Sequence, residues 1–579
     1  MQFWVLRLRT VWRPSWLAFL LAALAIVPTA SELSAQVTRS AEPVFDAPQL
    51  PPEPSINRVL SEGERLESLR RWGEAVSHYE EALREFPDDQ TLAQREDLAK
   101  LHFNLDRRYA DRSYLESLKS LSAAQASGLY LELLRKVNSH YVTTPPWQRL
   151  AVRGVTAVNV ALGDEKFLAA NGVEPVAEQL GLMQQDLSEL LARRVMTGPD
   201  DVAALAAEAA RIVQSRSGLS PTASLLEFVS SAAGGLDEYS AYLTSDQLRD
   251  VYSQIEGNFV GLGVELKADR GALLIVHVIP GSPAERAGIR DGDRIVAVDG
   301  RSTADLSTDE AAALLTGAEG STVRVTTRTA GQADRELSVR REHIEVPSLE
   351  NANIVDAAFA AAMSLDLTPD QLAAGVAYIR IPAFQKTTAR DLEAALWDLH
   401  AKGMRTLVLD LRGNPGGLLT AAVEVADKFI QQGGIVSTRG RSPQEDFNYQ
   451  AHYGGTWRVP LVVLIDGDSA SASEIFAAAI KDNRRGEVVG VKSYGKGTVQ
   501  GIFPLGYGGA GIRLTTAYFY SPNNDRISHV GVSPTIAVQT AAKPADAGSR
   551  LTIVGADPVL EAGINAAIEA AKSRAVASR

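Results

Sequence analysis

The apolar positions of the chain recur with two different periods. Between residues 56 and 235 they recur at helical spacing, as in the stretch 201–213 (DVAALAAEAARIV). Beyond residue 257, short β-branched segments divided by Gly and Pro turns replace that pattern. From residue 376 onwards, strand-like apolar runs alternate with helical stretches, a pattern typical of βαβ units in a mainly parallel sheet. The sequence therefore predicts a multidomain α/β protein with a helical N-terminal region, a small β-rich domain and an α/β core.

The length and composition support this division. A chain of 579 residues suffices for about three to five domains. Hydrophobic residues make up 45% and charged residues 22%, which excludes a chain disordered throughout. The helical region, the β-rich domain, the α/β core and a tail with a C-terminal helix are expected, in that order, at residues 56–250, 257–342, 343–545 and 546–579.

The first 35 residues have the order of a secretory signal peptide. Arg7, Arg9 and Arg13 precede an apolar run of about 12 residues, and small residues follow. The run is shorter than the ~20 residues that a membrane-spanning helix needs. If the segment is not cleaved, it would instead anchor the protein in a membrane. Residues 36–55 contain five prolines, which predicts an extended linker.

Residues 56–89 match one tetratricopeptide-like unit, in which two helices are closed by a proline. Gly63, Ala75 and Ala82 let the helices approach, and Tyr79 fills the gap between them. One such unit does not bury its own face, so an ordinary helical hairpin remains the alternative. Residues 91–235 carry no recognisable chemistry. The helical region is therefore a candidate surface for a protein partner or for oligomer formation.

The composition excludes several classes of function. The chain has no Cys, which rules out disulfides, cysteine nucleophiles and thiolate metal sites. It has eight His, and no two lie within five residues of each other, so no paired-histidine metal motif is present. The net charge of −12 has the wrong sign for a nucleic-acid-binding protein. We expect no metal and no cofactor.

Two apolar runs in the core end at turns that precede helices. Residues 406–413 (TLVLDLRG) lead into 414–417 (NPGG), and residues 460–468 (PLVVLIDGD) lead into serines 469, 471 and 473. Functional groups in parallel sheets gather at such strand-to-helix turns. A serine there needs a base, and the sequence offers no nearby His. Lys496 would serve if burial lowered its pKa towards neutrality.

The β-rich segment resembles a PDZ domain, in the strand order of bacterial proteases. The resemblance rests on residues 261–266 (GLGVEL) and on 273–300. It implies that the backbone N–H groups of Leu262, Gly263 and Val264 capture a terminal carboxylate, and that Leu262, Val264 and Leu315 line an apolar pocket. A PDZ-like spacer that binds nothing is the alternative.

The core resembles the carboxyl-terminal processing peptidases, also called tail-specific proteases. Three stretches carry the resemblance, namely LDLRGNPGGLL, DSASASEI and GVKSYGKGTVQ, and LDEYSAYLT at 236–244 resembles a fourth. The family often has Pro and His where Glu238 and Tyr239 stand, a departure at no position to which the resemblance assigns catalysis. About half the chain, residues 236–540, is covered.

This resemblance implies a Ser–Lys dyad assisted by a glutamine. The matching residues are Ser471 as nucleophile, Lys496 as base and Gln500 as the residue that orients the lysine, with Gly417 and Ala472 supplying the N–H groups of the oxyanion hole. Ser469 and Ser473 are expected to be structural, the first satisfying turn amides and the second capping the helix. Lys492 is expected on the surface.

Together these observations predict an exported serine endopeptidase, periplasmic or otherwise extracytoplasmic. Its partners would be protein substrates with exposed C-terminal tails, captured or gated by the PDZ domain. A peptide-binding scaffold on a protease-like fold, either without catalysis or latent until a partner docks, is the alternative.

Overall fold

The computed structural model describes residues 56–577, except 175–176, 270–271, 304–313, 330, 453 and 540–556. The predicted signal peptide at 1–35 and the linker at 36–55 therefore lie outside the described residues. The described chain forms two compact units that divide at residue 108. Among the helices in the described ranges, none combines the length and the apolar character needed to cross a membrane.

The first unit is helical. Its helices span Ile56–Ser68, Trp72–Glu85 and Gln90–Arg108, the last of which ends at the boundary of the unit. The Tyr79 ring occupies the space that a side chain at Gly63 would fill, so it packs between the first two helices as expected. Trp72 stacks on His102 with ring centroids 3.9 Å apart, which ties the third helix to the second.

The second unit begins with a helical region. The helices in its described ranges span Arg112–Ser120, Ala123–His140, Trp147–Leu162, Glu165–Asn171, Ala177–Ala192, Pro199–Ser217 and Pro221–Ala232. The last of these is the central helix, because ten of its twelve residues are buried. A 3₁₀ turn, Ala233–Gly235, follows it and leads into the connector, residues 236–240. Strand β1 (Ala241–Leu243) and the helix Ser245–Glu256 then lead to the β-rich domain.

Within its described ranges, the β-rich domain contains eight strands and one short helix. The strands are β2 (Asn258–Gly261), β3 (Val264–Asp269), β4 (Ala272–Val278), β5 (Arg294–Val298), β6 (Arg301–Ser302), β7 (Thr322–Arg328), β8 (Arg335–Arg340) and β9 (Glu342–Glu345). The helix Pro283–Arg286 lies between β4 and β5. The sheet has the order β3-β4-β5-β7-β8, with β6 on β5, so β3 lies at its edge. Strands β2 and β9 form a separate pair.

The α/β core is built on a six-stranded sheet. Its strands are β10 (Glu350–Ile354), β11 (Val376–Arg380), β12 (Thr406–Asp410), β15 (Leu461–Ile465), β16 (Glu487–Gly490) and β19 (Ile536–Ala537), adjacent in that order. Only the pair β10–β11 is antiparallel among the described strands of this sheet. Helices cover both faces, and they span Ala357–Ala362, Pro369–Leu372, Thr388–Ala401, Leu419–Asp427, Ala472–Asp482 and Pro558–Ala577. The predicted parallel sheet of βαβ units is confirmed.

Alternate residues of the central strands enter two different apolar cores. Leu407 and Leu409 pack with the helices on one face, whereas Val408 packs with the C-terminal helix on the other. Both faces of β12 are therefore buried, which is why its three central residues, 407–409, are all apolar.

A second, antiparallel sheet lies beside the first. It contains β1, β13 (Gly434–Gly440), β14 (Phe447–Gln450), β17 (Thr498–Pro504) and β18 (Gly511–Tyr520), in the order β1-β18-β13-β14 with β17 also paired to β18. A 3₁₀ turn, Pro443–Glu445, joins β13 to β14. The segment that carries Lys496 leads directly into β17, so this sheet carries the candidate base.

Candidate active site

The turn after β15 holds Ser471 in a strained backbone conformation. Its φ is +55° and its ψ is −115°, a region that residues with a side chain rarely adopt. Ser471 is the last residue before the helix Ala472–Asp482, where the unsatisfied N–H groups of the first turn favour negative charge. The strain and the position at a helix start single out Ser471 among the three serines of this turn.

The other two serines are buried and structural. Ser469 Oγ accepts a hydrogen bond from the N–H of Asp466 (2.9 Å) and donates to Leu411 O (2.9 Å), as expected for a residue that satisfies the turn. The expectation that Ser473 caps the helix is wrong, because the helix begins at Ala472 and Ser471 occupies its N-cap position. Ser473 Oγ instead donates to Asn414 O at 3.0 Å.

The loop 413–417, which follows β12, is fixed against the Ser471 turn. Because β12 and β15 are parallel neighbours, their carboxyl ends meet at one edge of the sheet. Asn414 O accepts hydrogen bonds from the Ser473 hydroxyl and from the N–H of Ala470, each at 3.0 Å. A Cβ on Gly416 would lie 2.7 Å from Cβ of Ser471, so only glycine allows this approach.

Two backbone N–H groups at this contact make no hydrogen bond. Within the described part of the chain, neither Gly417 N–H nor Ala472 N–H donates to another protein group. Gly417 has a φ of +135°, and its neighbour Leu418 donates to Phe384 O at 2.8 Å, which holds the loop in place. Two preorganised donors beside a serine can stabilise the oxyanion of a tetrahedral intermediate.

Glu474 joins the Ser471 turn to the Lys496 loop. Its buried carboxylate accepts hydrogen bonds from the N–H groups of Ser471 (2.8 Å), Gly495 (2.7 Å) and Lys496 (2.9 Å), and from the Ser493 hydroxyl (2.6 Å). Burial raises the pKa of Glu474, and these four donors act in the opposite direction. One side chain thus fixes the backbones of both candidate catalytic residues. The sequence reasoning missed it, although the spacing S-x-x-E at a helix start was a usable signal.

Lys496 has the environment of a general base. Burial, as the main cause, and the nearby Arg513 lower the pKa of Lys496 to about 8, whereas the charges of Glu238 and Glu474 act to raise it. In the described residues, Nζ of Lys496 makes no hydrogen bond or ion pair. It lies instead over the ring of Tyr239, 4.9 Å from the centroid. Lys492 is exposed, as expected.

The structure does not join all the residues that the resemblance assigned to the dyad. Among the described residues, no hydrogen bond links Ser471 Oγ to Lys496 Nζ, or Lys496 to Gln500. The Gln500 amide donates to Thr498 Oγ1 at 3.0 Å, because residues two apart on β17 share one side of the strand. Catalytic hydrogen bonds are often long without substrate and tighten when it binds.

The loop 262–264 of the β-rich domain, which the resemblance assigns to carboxylate capture, is ordered by close backbone contacts. Gly263 has a φ of +84°, and Leu262 O accepts a hydrogen bond from Ala284 N–H at 2.9 Å. The N–H groups of Leu262 and Gly263 donate no hydrogen bond within the described ranges. Leu262, Val264 and Leu315 lie together in the core of this domain and are nearly fully buried.

In the described chain, no cluster of His, Asp and Glu side chains is arranged to hold a metal ion.

Comparisons with family models identify two parts of the chain. The model of Peptidase family S41 matches residues 375–538, which contain both strand-to-helix turns and the Lys496 loop. The model of a PDZ domain matches residues 274–329. A protease with a PDZ domain implies protein substrates.

Several similar proteins are named as C-terminal processing proteases. The carboxy-terminal-processing protease of Bartonella bacilliformis is 36% identical over 311 residues, which are 52% of this chain and 67% of that protein. The carboxy-terminal processing protease CtpA of Bacillus subtilis is 31% identical over 304 residues, which are 52% of this chain and 61% of that protein. The solved photosystem II D1 C-terminal processing protease aligns with 71% of this chain and 93% of its own, at 25% identity and a TM-score of 0.36.

Proposed function

The chain belongs to the carboxy-terminal-processing proteases of peptidase family S41, and we propose that it is a serine endopeptidase that cleaves the C-terminal region of protein substrates. This proposal rests mainly on one observation, namely that a single carboxylate anchors the backbones of both candidate catalytic residues. The N–H groups of Ser471 and Lys496 both donate to Oε2 of Glu474, at 2.8 and 2.9 Å. This anchor ties the backbone of a strained serine to that of a lysine whose pKa is lowered to about 8, mainly by burial.

In the proposed reaction, Ser471 Oγ attacks the carbonyl carbon of the scissile peptide bond. Lys496, in its neutral form, takes the hydroxyl proton and then gives it to the leaving amine. The N–H groups of Gly417 and Ala472 bind the oxyanion, and water releases the acyl group. Gln500 would orient Lys496 only after its side chain leaves Thr498.

Within the described residues, no hydrogen bond joins Lys496 Nζ to Ser471 Oγ, which supports a latent form of the enzyme. In this form a movement that brings the two side chains together precedes catalysis. We propose that substrate docking supplies this movement. The loop 262–264 and the edge strand β3 suit capture of a C-terminal tail, since a peptide can add to a sheet edge while N–H groups bind its carboxylate.

We also propose that the protein is exported, because residues 1–35 follow the basic, apolar and small-residue order of a signal peptide. The helical region at 56–250 is proposed as a surface for a protein partner, and an oligomer is compatible with it.

The test compares the C-termini of extracytoplasmic proteins from cells that carry the wild-type chain or its Ser471→Ala variant. We expect a set of shortened C-termini that requires the Ser471 hydroxyl. Ser215→Ala is the matched control, because this exposed serine lies in a helix outside the candidate site. If the wild-type and Ser471→Ala cells gave the same C-termini, and the purified wild-type protein cleaved no peptide, the chain would be a binding scaffold.

A further inference from the structure

The Lys496 ammonium rests on an aromatic ring from a different part of the chain. Tyr239 belongs to the connector, 257 positions before Lys496 in sequence, and its ring centroid lies 4.9 Å from Nζ. A cation over the face of an aromatic ring is attracted by the ring quadrupole, and more strongly where water is excluded. The connector therefore contributes to the environment of the candidate base.

Hydrogen bonds hold the backbone of the connector in place. Asp237 accepts hydrogen bonds from the N–H groups of Tyr239 (2.8 Å) and Ser240 (2.7 Å). Arg513 Nε, from β18, donates to Tyr239 O at 3.0 Å. Arg149, from the helical region, donates to Leu236 O at 3.0 Å. The position of the Tyr239 ring is thus set by a helix, by a strand and by the connector itself.

Charges from three elements face Lys496 besides the ring. Glu238 comes from the connector, Glu474 from the helix Ala472–Asp482 and Arg513 from β18. Burial, together with Glu238, raises the pKa of Tyr239, so its side chain remains a neutral phenol in any ordinary assay. The aromatic face is therefore a constant, uncharged partner for the ammonium.

We propose that Tyr239 is a positioning residue for the base, which seats the Lys496 ammonium over its ring in the resting enzyme and releases it when the dyad closes. The proposal rests on the proposed function, because it concerns the lysine of that dyad. The ring stabilises the charged form and holds Nζ away from Ser471. Its removal should favour the neutral lysine that catalysis needs.

The test replaces the aromatic face without opening the site to water. Tyr239→Leu keeps an apolar side chain and removes the ring, whereas Tyr239→Phe keeps the ring and serves as the matched control. In single-turnover cleavage, we expect the acid limb of the pH–rate profile of Tyr239→Leu to move down by about half to one pH unit. The rate at pH 6.5 should rise by about three- to tenfold, and Tyr239→Phe should keep the wild-type profile. Damage to the fold would lower the rate, so a gain is specific to the proposal.

A second measurement reads Lys496 without catalysis. In the Ser471→Ala background, the rate at which an amine-reactive reagent labels Lys496 is followed against pH by mass spectrometry. Added Tyr239→Leu should move the midpoint of labelling to lower pH, and added Tyr239→Phe should not. An unchanged or higher midpoint in the Leu variant overturns the proposal. This measurement keeps its meaning if Ser471-dependent cleavage is absent, so failure of the proposed function is recognised separately.

Discussion

Raising the pH should activate the enzyme through a single proton on Lys496. Burial and Arg513 lower the pKa of this lysine to about 8. At pH 7 about one lysine in eleven is then neutral, and at pH 9 about ten in eleven. If the neutral amine takes the Ser471 proton, the rate of acylation should rise about tenfold between pH 7 and pH 9. Below pH 7 the rate should fall about tenfold for each pH unit.

The assay is a single-turnover measurement with enzyme in excess over a fluorogenic peptide that has a free, apolar C-terminus. Single turnover isolates acylation from product release, which often limits steady-state rates. Lys492→Ala is the matched control, because Lys492 is exposed and lies in the same loop. This variant should keep the pH–rate profile of the wild-type enzyme. Lys496→Ala should lose the activity and, with it, the rise of the rate between pH 7 and pH 9.

Two results would refute the reasoning. A rate that does not change between pH 6 and pH 9 would show that no lysine with a lowered pKa takes part. A rate that rises with a midpoint above pH 10, where an exposed lysine titrates, would show that the base is not the buried Lys496.

Three further predictions concern stability and the site geometry. Between pH 8 and 10 the unfolded chain binds a proton on Lys496 that the folded chain does not, so the stability of the wild-type protein should rise with pH in this range. Lys496→Met should therefore raise the free energy of unfolding at pH 7 by up to about 3 kcal/mol in urea titrations, and this gain should fade above pH 10. No gain at pH 7 would contradict this prediction. Gly417→Ala places a Cβ against a backbone carbonyl at a φ of +135°, so it should reduce the single-turnover rate about 10²-fold or more. The control Gly467→Ala places its Cβ in open space and should change the rate less than about twofold. Equal effects of the two substitutions would argue against an oxyanion donor at Gly417. Asp557→Ala removes a carboxylate that accepts two hydrogen bonds from buried Arg412 and one from the N–H of Leu560, in the first turn of the C-terminal helix. This variant should lower the free energy of unfolding by about 2–4 kcal/mol in urea titrations. A loss below about 1 kcal/mol would refute this prediction.

The sequence predicted the sheet well, because a strand that is buried on both faces has a nearly continuous run of apolar residues. The central residues of β12 and all residues of β15 are apolar and buried, and a helix follows each strand. The helix Thr388–Ala401 likewise has its buried apolar positions at helical spacing. Such local patterns require no knowledge of distant contacts.

The remainder of the site depends on contacts between distant residues. Tyr239 meets Lys496 across more than 250 positions, and no periodicity in the sequence links them. Glu474 occupies an ordinary helix position, and only the folded loop shows that it also binds the backbone of Lys496. The role of Gln500 remains a prediction from the resemblance, because its amide bonds Thr498 here.

The backbone of Ser471 has a consequence for how this protein can change over generations. A φ of +55° with a ψ of −115° costs a residue with a Cβ about 1–3 kcal/mol, and glycine would avoid most of that cost. A lineage that no longer needed turnover would therefore gain stability by replacing this serine with glycine. Selection for folding alone favours the inactive protein, so the serine persists only while its chemistry is required.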